Sequence, residues 1–201
     1  MNDATTKYAK KRDSQKRTDR EERNWPKDGY RALKTLASTL HTEVEHTEKQ
    51  APARVSASDM YEYQRYFVIL FYAHHALRGD LGDVRIERKG QNYIYKKGKS
   101  WAVHVGQHKT VKSVGAIDLK LAKPVADALD IFLPMVRANT DHGYLLSTKR
   151  GRNKLSRKDM LILLRTTTHD RIGKRLGVQM IRVLKTTEHL KSIDEASELQ
   201  R

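Results

Sequence analysis

The sequence ALRGDLGDVRI, residues 76–86, lies where the chain changes from a helical pattern to a strand-like pattern. The apolar run before it, residues 66–76, predicts a buried helix, and the alternation at residues 84–87 predicts a strand. A charged Arg-Gly-Asp, residues 78–80, interrupts the two patterns. Arg78 is therefore either an exposed residue at a helix end or a charge held at the mouth of a cleft.

The spacing of apolar residues before and after this stretch predicts long helices on both sides of a group of strands. Before the stretch, helices are expected over residues 28–50 and 57–77, and Ser56 is a good N-cap for the second. After it, the segments with strand-like alternation are 84–87, 93–95, 101–105 and 115–119. The last helices are expected over 122–138, with Pro134 ending or kinking it, over 157–169 behind Ser156, and from 178 onward. Strands grouped between helices predict an α+β fold, mostly helical, with a small antiparallel three- or four-stranded meander.

The ends of the chain suggest a division into segments. Residues 1–24 are polar and of mixed charge, and they are expected to form a basic arm that is disordered or a frayed helix. Residues 25–55 are expected to be a helical linker or the end of an N-terminal DNA-binding region. The main domain is expected to begin at residue 56.

The charge of the chain is concentrated. The 201 residues carry a net charge of +16, with a sequence pI of about 10.0. Residues 85–112 hold eight Lys or Arg against Glu87, and residues 149–175 hold ten against Asp159 and Asp170. Two such segments predict a binding track for a polyanion, although a ribosomal or other RNA-binding protein could carry its charge in the same way. The candidate DNA-binding residues are Lys96, Lys97, Lys99, Lys112, Lys149, Arg150, Arg152 and Lys154.

Composition also excludes several kinds of site. The chain has no cysteine, which excludes disulfides, cysteine zinc sites and thiol nucleophiles. No apolar run approaches the roughly 20 residues of a membrane helix. The protein is therefore expected to be soluble and intracellular, with no membrane partner.

Three motifs occur in a telling order. Arg78 follows the buried helix, the lysine of His108-Lys109-Thr110 stands in a hairpin pattern, and Gln179-Met180-Ile181-Arg182 opens a late helix. Arginine, hairpin lysine and helical arginine in this order resemble the catalytic domain of the tyrosine recombinase (phage-integrase) family. The detail around them is most similar to the integrases of large DNA viruses and their mobile elements. The resemblance covers roughly residues 56–190.

The resemblance implies a strand-transfer site. Arg78 and Arg182 would clamp the scissile phosphate, because a guanidinium matches phosphate oxygens bidentately. Lys109 would protonate the leaving 5′-oxygen, Gln179 would donate a hydrogen bond to the phosphate, and Asp80 would orient Arg78. In that family a tyrosine forms a covalent 3′-phosphotyrosine. The implied partners are double-stranded DNA and further copies of the chain on DNA, with no metal and no cofactor. The implied location is with DNA, in the nucleus or cytoplasm of a host.

The sequence departs from the family pattern at three points. Gln179 stands where the family has histidine, so proton transfer at this position is lost. Asp80 replaces a glutamate, with the spacing from Arg78 shortened by one. No tyrosine follows Arg182, the last one being Tyr144. Residues 56–201 are therefore expected to be a C-terminally incomplete catalytic domain, a domain whose nucleophile comes from another chain, or a degenerate DNA-binding relative.

Two other functions fit the same residues. One is a non-enzymatic basic module that binds nucleic acid, RNA included. The other is a metal-dependent nuclease that uses Asp80 and Asp83 as ligands.

Overall fold

The chain folds around one hydrophobic core. Along the sequence, helices come both before and after a small sheet. The computed structural model describes residues 17–108 and 111–198, with the side chains of Val114 and of residues beyond Leu190 left out. The α-helices of this part are α1 (Asp19–Asn24), α2 (Arg31–Glu48), α3 (Ala57–His74), α4 (Val111–Val114), α5 (Lys123–Asn139), α6 (Arg157–Ile172) and α7 (Val178–Glu198). The strands are β1 (Asn92–Lys97), β2 (Ser100–Val105) and β3 (Ile117–Lys120), and short 3-10 helices span Pro52–Arg54 and Gly79–Asp83. The predicted α+β class, mostly helical with an antiparallel meander, is confirmed, and the meander has three strands.

Helix α3 is the centre of the core. Ser56 caps it through the backbone N–H of Asp59, as its position predicted, and apolar residues cover most of its circumference. Phe67 stacks on Phe132 of α5 with the ring centroids 5.1 Å apart. Helix α2 lays a stripe of buried leucines against α3, and the Tyr30 hydroxyl donates to the carbonyl of Tyr72 at 2.9 Å. Residues 25–55 therefore belong to the same core as the rest of the domain. No described helix combines the length and the apolar character that crossing a membrane requires.

The first of the strands expected from the sequence is missing from the sheet. Residues 84–87 do not join it as a strand, since Arg85 makes only isolated bridges, to Tyr93 and to Tyr144. A tight turn follows directly, with the backbone N–H of Lys89 donating to the carbonyl of Glu87 at 2.6 Å, and this turn ends any pairing. The segment therefore passes beside β1 instead of extending the meander.

The connection from β2 to β3 is longer than a hairpin turn. It contains α4, a single turn of helix closed by Gly115, whose N–H donates to the carbonyl of Val111 at 2.8 Å. Gly115 has φ +71°, a left-handed conformation that glycine adopts without strain, and β3 begins only two residues later. Lys109 and Thr110, expected in a hairpin turn here, lie outside the described residues.

Two further boundaries differ from expectation. Helix α3 ends at His74 rather than residue 77, because His75 is extended and the chain turns into the 3-10 helix. Helix α5 continues through Pro134 to Asn139, so the proline, which was expected to end or kink the helix, does not end it. Residues 19–24, assigned to a disordered or frayed arm, form α1 behind a Thr18–Glu21 capping box. Lys174 ties the end of α1 to the loop after α6 by donating to the carbonyl of Arg23 at 2.9 Å.

We predict that Gly82→Ala destabilises the fold more than Gly79→Ala. A Cβ at Gly82 would lie 2.9 Å from the Cα of Arg157, so the backbone of α6 would have to shift. At Gly79 the nearest atom is Nε of the Arg157 side chain, at 3.2 Å, which can move. Urea denaturation should give a loss of about 1–3 kcal/mol in the free energy of unfolding for Gly82→Ala. Equal losses for the two variants would contradict this account of α6 packing.

Candidate phosphate site and basic surfaces

The backbone of Arg78 is held in place, whereas its side chain is bonded to none of the described residues. Arg78 is the residue before the 3-10 helix Gly79–Asp83, and its carbonyl accepts a hydrogen bond from the buried Tyr72 hydroxyl at 3.1 Å. The guanidinium is half-buried and makes no hydrogen bond or ion pair with any residue that the structure describes. A cation held in this way is available to an anionic ligand.

Asp80 has a different partner from the one expected. Its carboxylate forms an ion pair with Arg157, at the start of α6, rather than with Arg78. The Asp80 side chain is 4% exposed and that of Arg157 is 44% exposed. Burial raises the pKa of the Asp80 carboxyl, while the charges of Arg157, His108 and Arg78 act in the opposite direction. Asp80 therefore anchors the turn that carries Arg78 to α6, and its interaction with Arg78 is an effect of charge without a hydrogen bond between the two side chains.

The segment leading to Lys109 approaches the same carboxylate. His108 is buried, and its Nε2 lies 2.8 Å from the carbonyl oxygen of Gly115. Its charge acts on Asp80, which places His108 near the 3-10 helix. Lys109 itself lies outside the described residues, so its approach to Arg78 stays a prediction.

Arg182 lies in a groove beside the end of α3. The groove has a volume of about 530 Å³ and is lined by Ala76, Gln179 and Arg182 among others. Arg182 Nη1 is 3.5 Å from Oε1 of Gln179, one turn earlier on α7. Because Ala76 is two residues before Arg78, the groove adjoins the segment that carries the first arginine. The structure thus brings the Gln179–Arg182 pair next to that segment.

Helix α7 is held against α3 at this groove by a lysine. Lys185 Nζ donates to the carbonyl of His74 at 2.8 Å, and burial together with the charge of Lys34 lowers the pKa of Lys185. The neighbouring His75 accepts a hydrogen bond from the backbone N–H of Ala122 at 3.0 Å. Burial, then the charge of Lys185, lowers the pKa of His75 to about 4, so this histidine is neutral at pH 7. His75 therefore joins the start of α5 to the end of α3 as a structural link.

The two carboxylates considered for a nuclease each have a cation. Asp80 pairs with Arg157, and Asp83 accepts from Lys154 Nζ at 3.3 Å. Within residues 17–108 and 111–198 there is no group of three or more His, Asp or Glu side chains that could hold a metal. The geometry gives Asp80 and Asp83 a role in ion pairs.

The predicted DNA-binding residues divide between free and paired cations. Lys96 is 3.3 Å from Asp130 and lies over the Trp101 ring, and Lys154 is held by Asp83 and lies over Tyr144. All eight are exposed, and the other six, for which no ion pair is found among the described residues, are Lys97, Lys99, Lys112, Lys149, Arg150 and Arg152. Lys149, Arg150 and Arg152 lie on a tight loop closed by a bridge between Ser147 and Lys154. A compact basic loop is therefore one of the surfaces offered to a polyanion.

Arg157 is the residue that sequence reasoning missed. It lies 77 residues from Asp80, and its position after the N-cap Ser156 gives no sign of that partner.

No protein-family model, curated protein or solved structure matches this chain. The side-chain geometry and the order of the motifs are therefore the evidence on what this chain does.

We predict that Arg157→Ala is strongly destabilising at pH 7, by about 3 kcal/mol, because it leaves the buried Asp80 charge without its partner. The loss should shrink as the pH falls toward 4. A carboxyl whose folded pKa is raised stabilises the fold when protonated, and that contribution is lost as the pH rises through the folded pKa. Adding Asp80→Asn should restore most of the stability at pH 7. Denaturation at pH 7 and pH 4.5 checks this, and a double variant no more stable than Arg157→Ala would contradict it.

Proposed function

We propose that this chain is the catalytic domain of a DNA recombinase or integrase of the tyrosine recombinase type. The observation that carries the proposal is the guanidinium of Arg78, which has no partner among the described residues. Its backbone is fixed by Tyr72 and Asp80, beside the groove that holds Arg182. A partly buried arginine whose guanidinium is bonded to none of the described residues fits a ligand-binding role, whereas Arg157 and Arg171 are held in ion pairs. A scissile DNA phosphate is the ligand that this geometry fits best.

The chemistry follows from where charge develops. In phosphoryl transfer, negative charge grows on the non-bridging oxygens, and fixed guanidinium groups stabilise it without reorganisation. Arg78 and Arg182 supply these groups, and Gln179 adds a neutral hydrogen-bond donor. Lys109, next to His108 in sequence, is proposed to give the proton to the departing 5′-oxygen. The ion pair of Asp80 and Arg157 acts as a positioning element, since it holds the turn that ends α3.

Duplex DNA would lie along the exposed cations. The basic loop with Lys149, Arg150 and Arg152 precedes α6, whose first residue anchors the Arg78 turn. Contacts to phosphates at this loop would therefore be mechanically close to the proposed site. Assembly of several copies on one DNA, and location with DNA in the cell, form part of the same proposal.

A second candidate, DNA binding without cleavage by this chain alone, is favoured by the tyrosines. The hydroxyls of Tyr63, Tyr72 and Tyr95 donate to Glu48, the Arg78 carbonyl and Asp118. Burial, and to a smaller extent the charge of Glu48, raises the pKa of the Tyr66 hydroxyl to about 12. A hydroxyl that is buried or bonded in this way is a poor nucleophile.

We predict that the chain binds duplex DNA with a steep salt dependence. Neutralising about six phosphates gives a slope of log K against log salt near −5. Arg78→Ala and Arg182→Ala should each weaken binding roughly tenfold, since each removes a charge-assisted phosphate contact. Arg54→Ala, an exposed arginine outside both basic segments, is the matched control and should change affinity less than twofold.

Fluorescence anisotropy with a labelled duplex of about 30 base pairs, at several salt concentrations, provides the measurement. A slope shallower than about −2 would count against a DNA track of this size. Equal losses for Arg54→Ala and Arg78→Ala would remove Arg78 from the phosphate site.

We predict further that the chain alone forms no covalent DNA adduct. Its described tyrosine hydroxyls are mostly buried or engaged in hydrogen bonds, and Gln179 does not shuttle protons. A nicked suicide substrate resolved on a denaturing gel should show no SDS-resistant band. If a band forms, single Tyr→Phe variants at the half-buried Tyr61, Tyr93 and Tyr144 would identify the nucleophile, and the second candidate would be overturned.

A further inference from the structure

The solvent face of the sheet carries aromatic rings where polar residues are usual. The register pairs Tyr93 with His104 and His104 with Asp118, so these three residues form one row across the sheet. The next row is formed by Tyr95, Ala102 and Lys120. Tyr93, Tyr95 and His104 are partly exposed, while Asp118 and Lys120 are exposed. Apart from Ala102, the row residues reach solvent, whereas Ile94 and Val103 on the opposite face are buried in the core.

The rings on this face are held in place. Tyr93 and His104 stack with centroids 4.7 Å apart and planes 21° apart. The Tyr95 hydroxyl donates to Oδ1 of Asp118 at 2.9 Å, and the same oxygen lies 3.0 Å from Nδ1 of His104. Ala102 is small, which leaves room for the Tyr95 ring to reach across β2 to β3. The side chains thus form an ordered aromatic surface.

Positive charge surrounds this aromatic surface. The guanidinium of Arg88 lies 4.6 Å from the centre of the Tyr95 ring, and exposed Lys97 and Lys120 lie on the same face. The carboxylate on the face, Asp118, is engaged by Tyr95 and His104. Lys96, next in sequence to Lys97, lies on the other face with Asp130, so it belongs to a different surface.

Rings bordered by cations are suited to unpaired nucleotides. Every base offers a π-face that stacks on an aromatic side chain, and the phosphates between bases need nearby cations. In duplex DNA the base faces are stacked on one another, so such a surface gains little from a duplex.

We propose that the outer face of the sheet binds single-stranded DNA, with bases stacked on Tyr93 and Tyr95 and phosphates bound by Arg88, Lys97 and Lys120. The choice of DNA over RNA rests on the proposed function, because strand exchange produces unpaired DNA. The stacking surface itself does not depend on that chemistry. It shares no residue with the groove of Gln179 and Arg182.

The test uses the whole chain and a labelled oligothymidylate of about 20 nucleotides in fluorescence anisotropy. Tyr93→Ala with Tyr95→Ala removes two stacking rings and should weaken binding by at least about 5- to 150-fold, the range for the loss of a single base stack. Tyr95→Phe keeps the ring and removes only the hydrogen bond to Asp118, so it should bind within about threefold of the native chain. Affinity for duplex DNA should change less than twofold in both variants.

A second measurement keeps the proposal testable if the double tyrosine variant unfolds. Lys97→Ala with Lys120→Ala should make the salt slope for the oligonucleotide shallower by about 1.4, because two single-strand phosphate contacts are lost. The fluorescence of a 2-aminopurine base in the oligonucleotide should be quenched by the native chain and less by Tyr95→Ala.

Three outcomes would overturn the proposal. If the double tyrosine variant binds the oligothymidylate with native affinity, stacking on this face is excluded. If the native chain binds oligouridylate at least tenfold more tightly than oligothymidylate, the face is assigned to RNA. An equal loss in Arg78→Ala would place the single strand in the groove instead. Failure of the recombinase proposal is separate, since it is measured by duplex binding of Arg78→Ala and Arg182→Ala.

Discussion

The ion pair between Asp80 and Arg157 is the interaction on which the candidate site depends. It joins the turn after α3 to the first residue of α6, two parts of the chain that lie 77 residues apart. The carboxylate is almost fully buried, so the turn keeps its position only while a cation remains beside it. Gly82 allows the close approach, because any side chain there would meet the backbone of Arg157. The turn that the ion pair fixes carries Arg78, whose guanidinium has no partner among the described residues.

Much of the fold could be predicted because its signals are local. Ser56 and Ser156 cap the helices that follow them through the N–H groups three residues on, and both caps were evident in the sequence. The apolar circumference of α3 predicted a central helix, and α7 begins at Val178 as its spacing indicated. These features depend on residues within one or two turns of each other.

The rest could not be predicted because it depends on distant partners. Residues 84–87 alternate like a strand, yet the turn at Lys89 and the bridges to Tyr93 and Tyr144 decide their path. Asp80 was assigned to Arg78, its neighbour in sequence, whereas the fold gives it Arg157. For the candidate site, the order of Arg78, Gln179 and Arg182 was readable from the sequence, and the groove beside them was not. Lys96 and Lys97 had the same predicted role, but strand alternation directs them to opposite faces.

The electrostatics of the groove give a physical reason for arginine at both proposed phosphate contacts. The environment at the end of α3 lowers the pKa of Lys185 and of His75, because burial disfavours their charged forms. A histidine placed there would be neutral at pH 7, as His75 is. A guanidinium keeps its proton under the same conditions, since its pKa lies above about 12. Arginine is therefore the basic residue whose charge depends least on such surroundings. That constancy is what stabilising a developing phosphate charge requires.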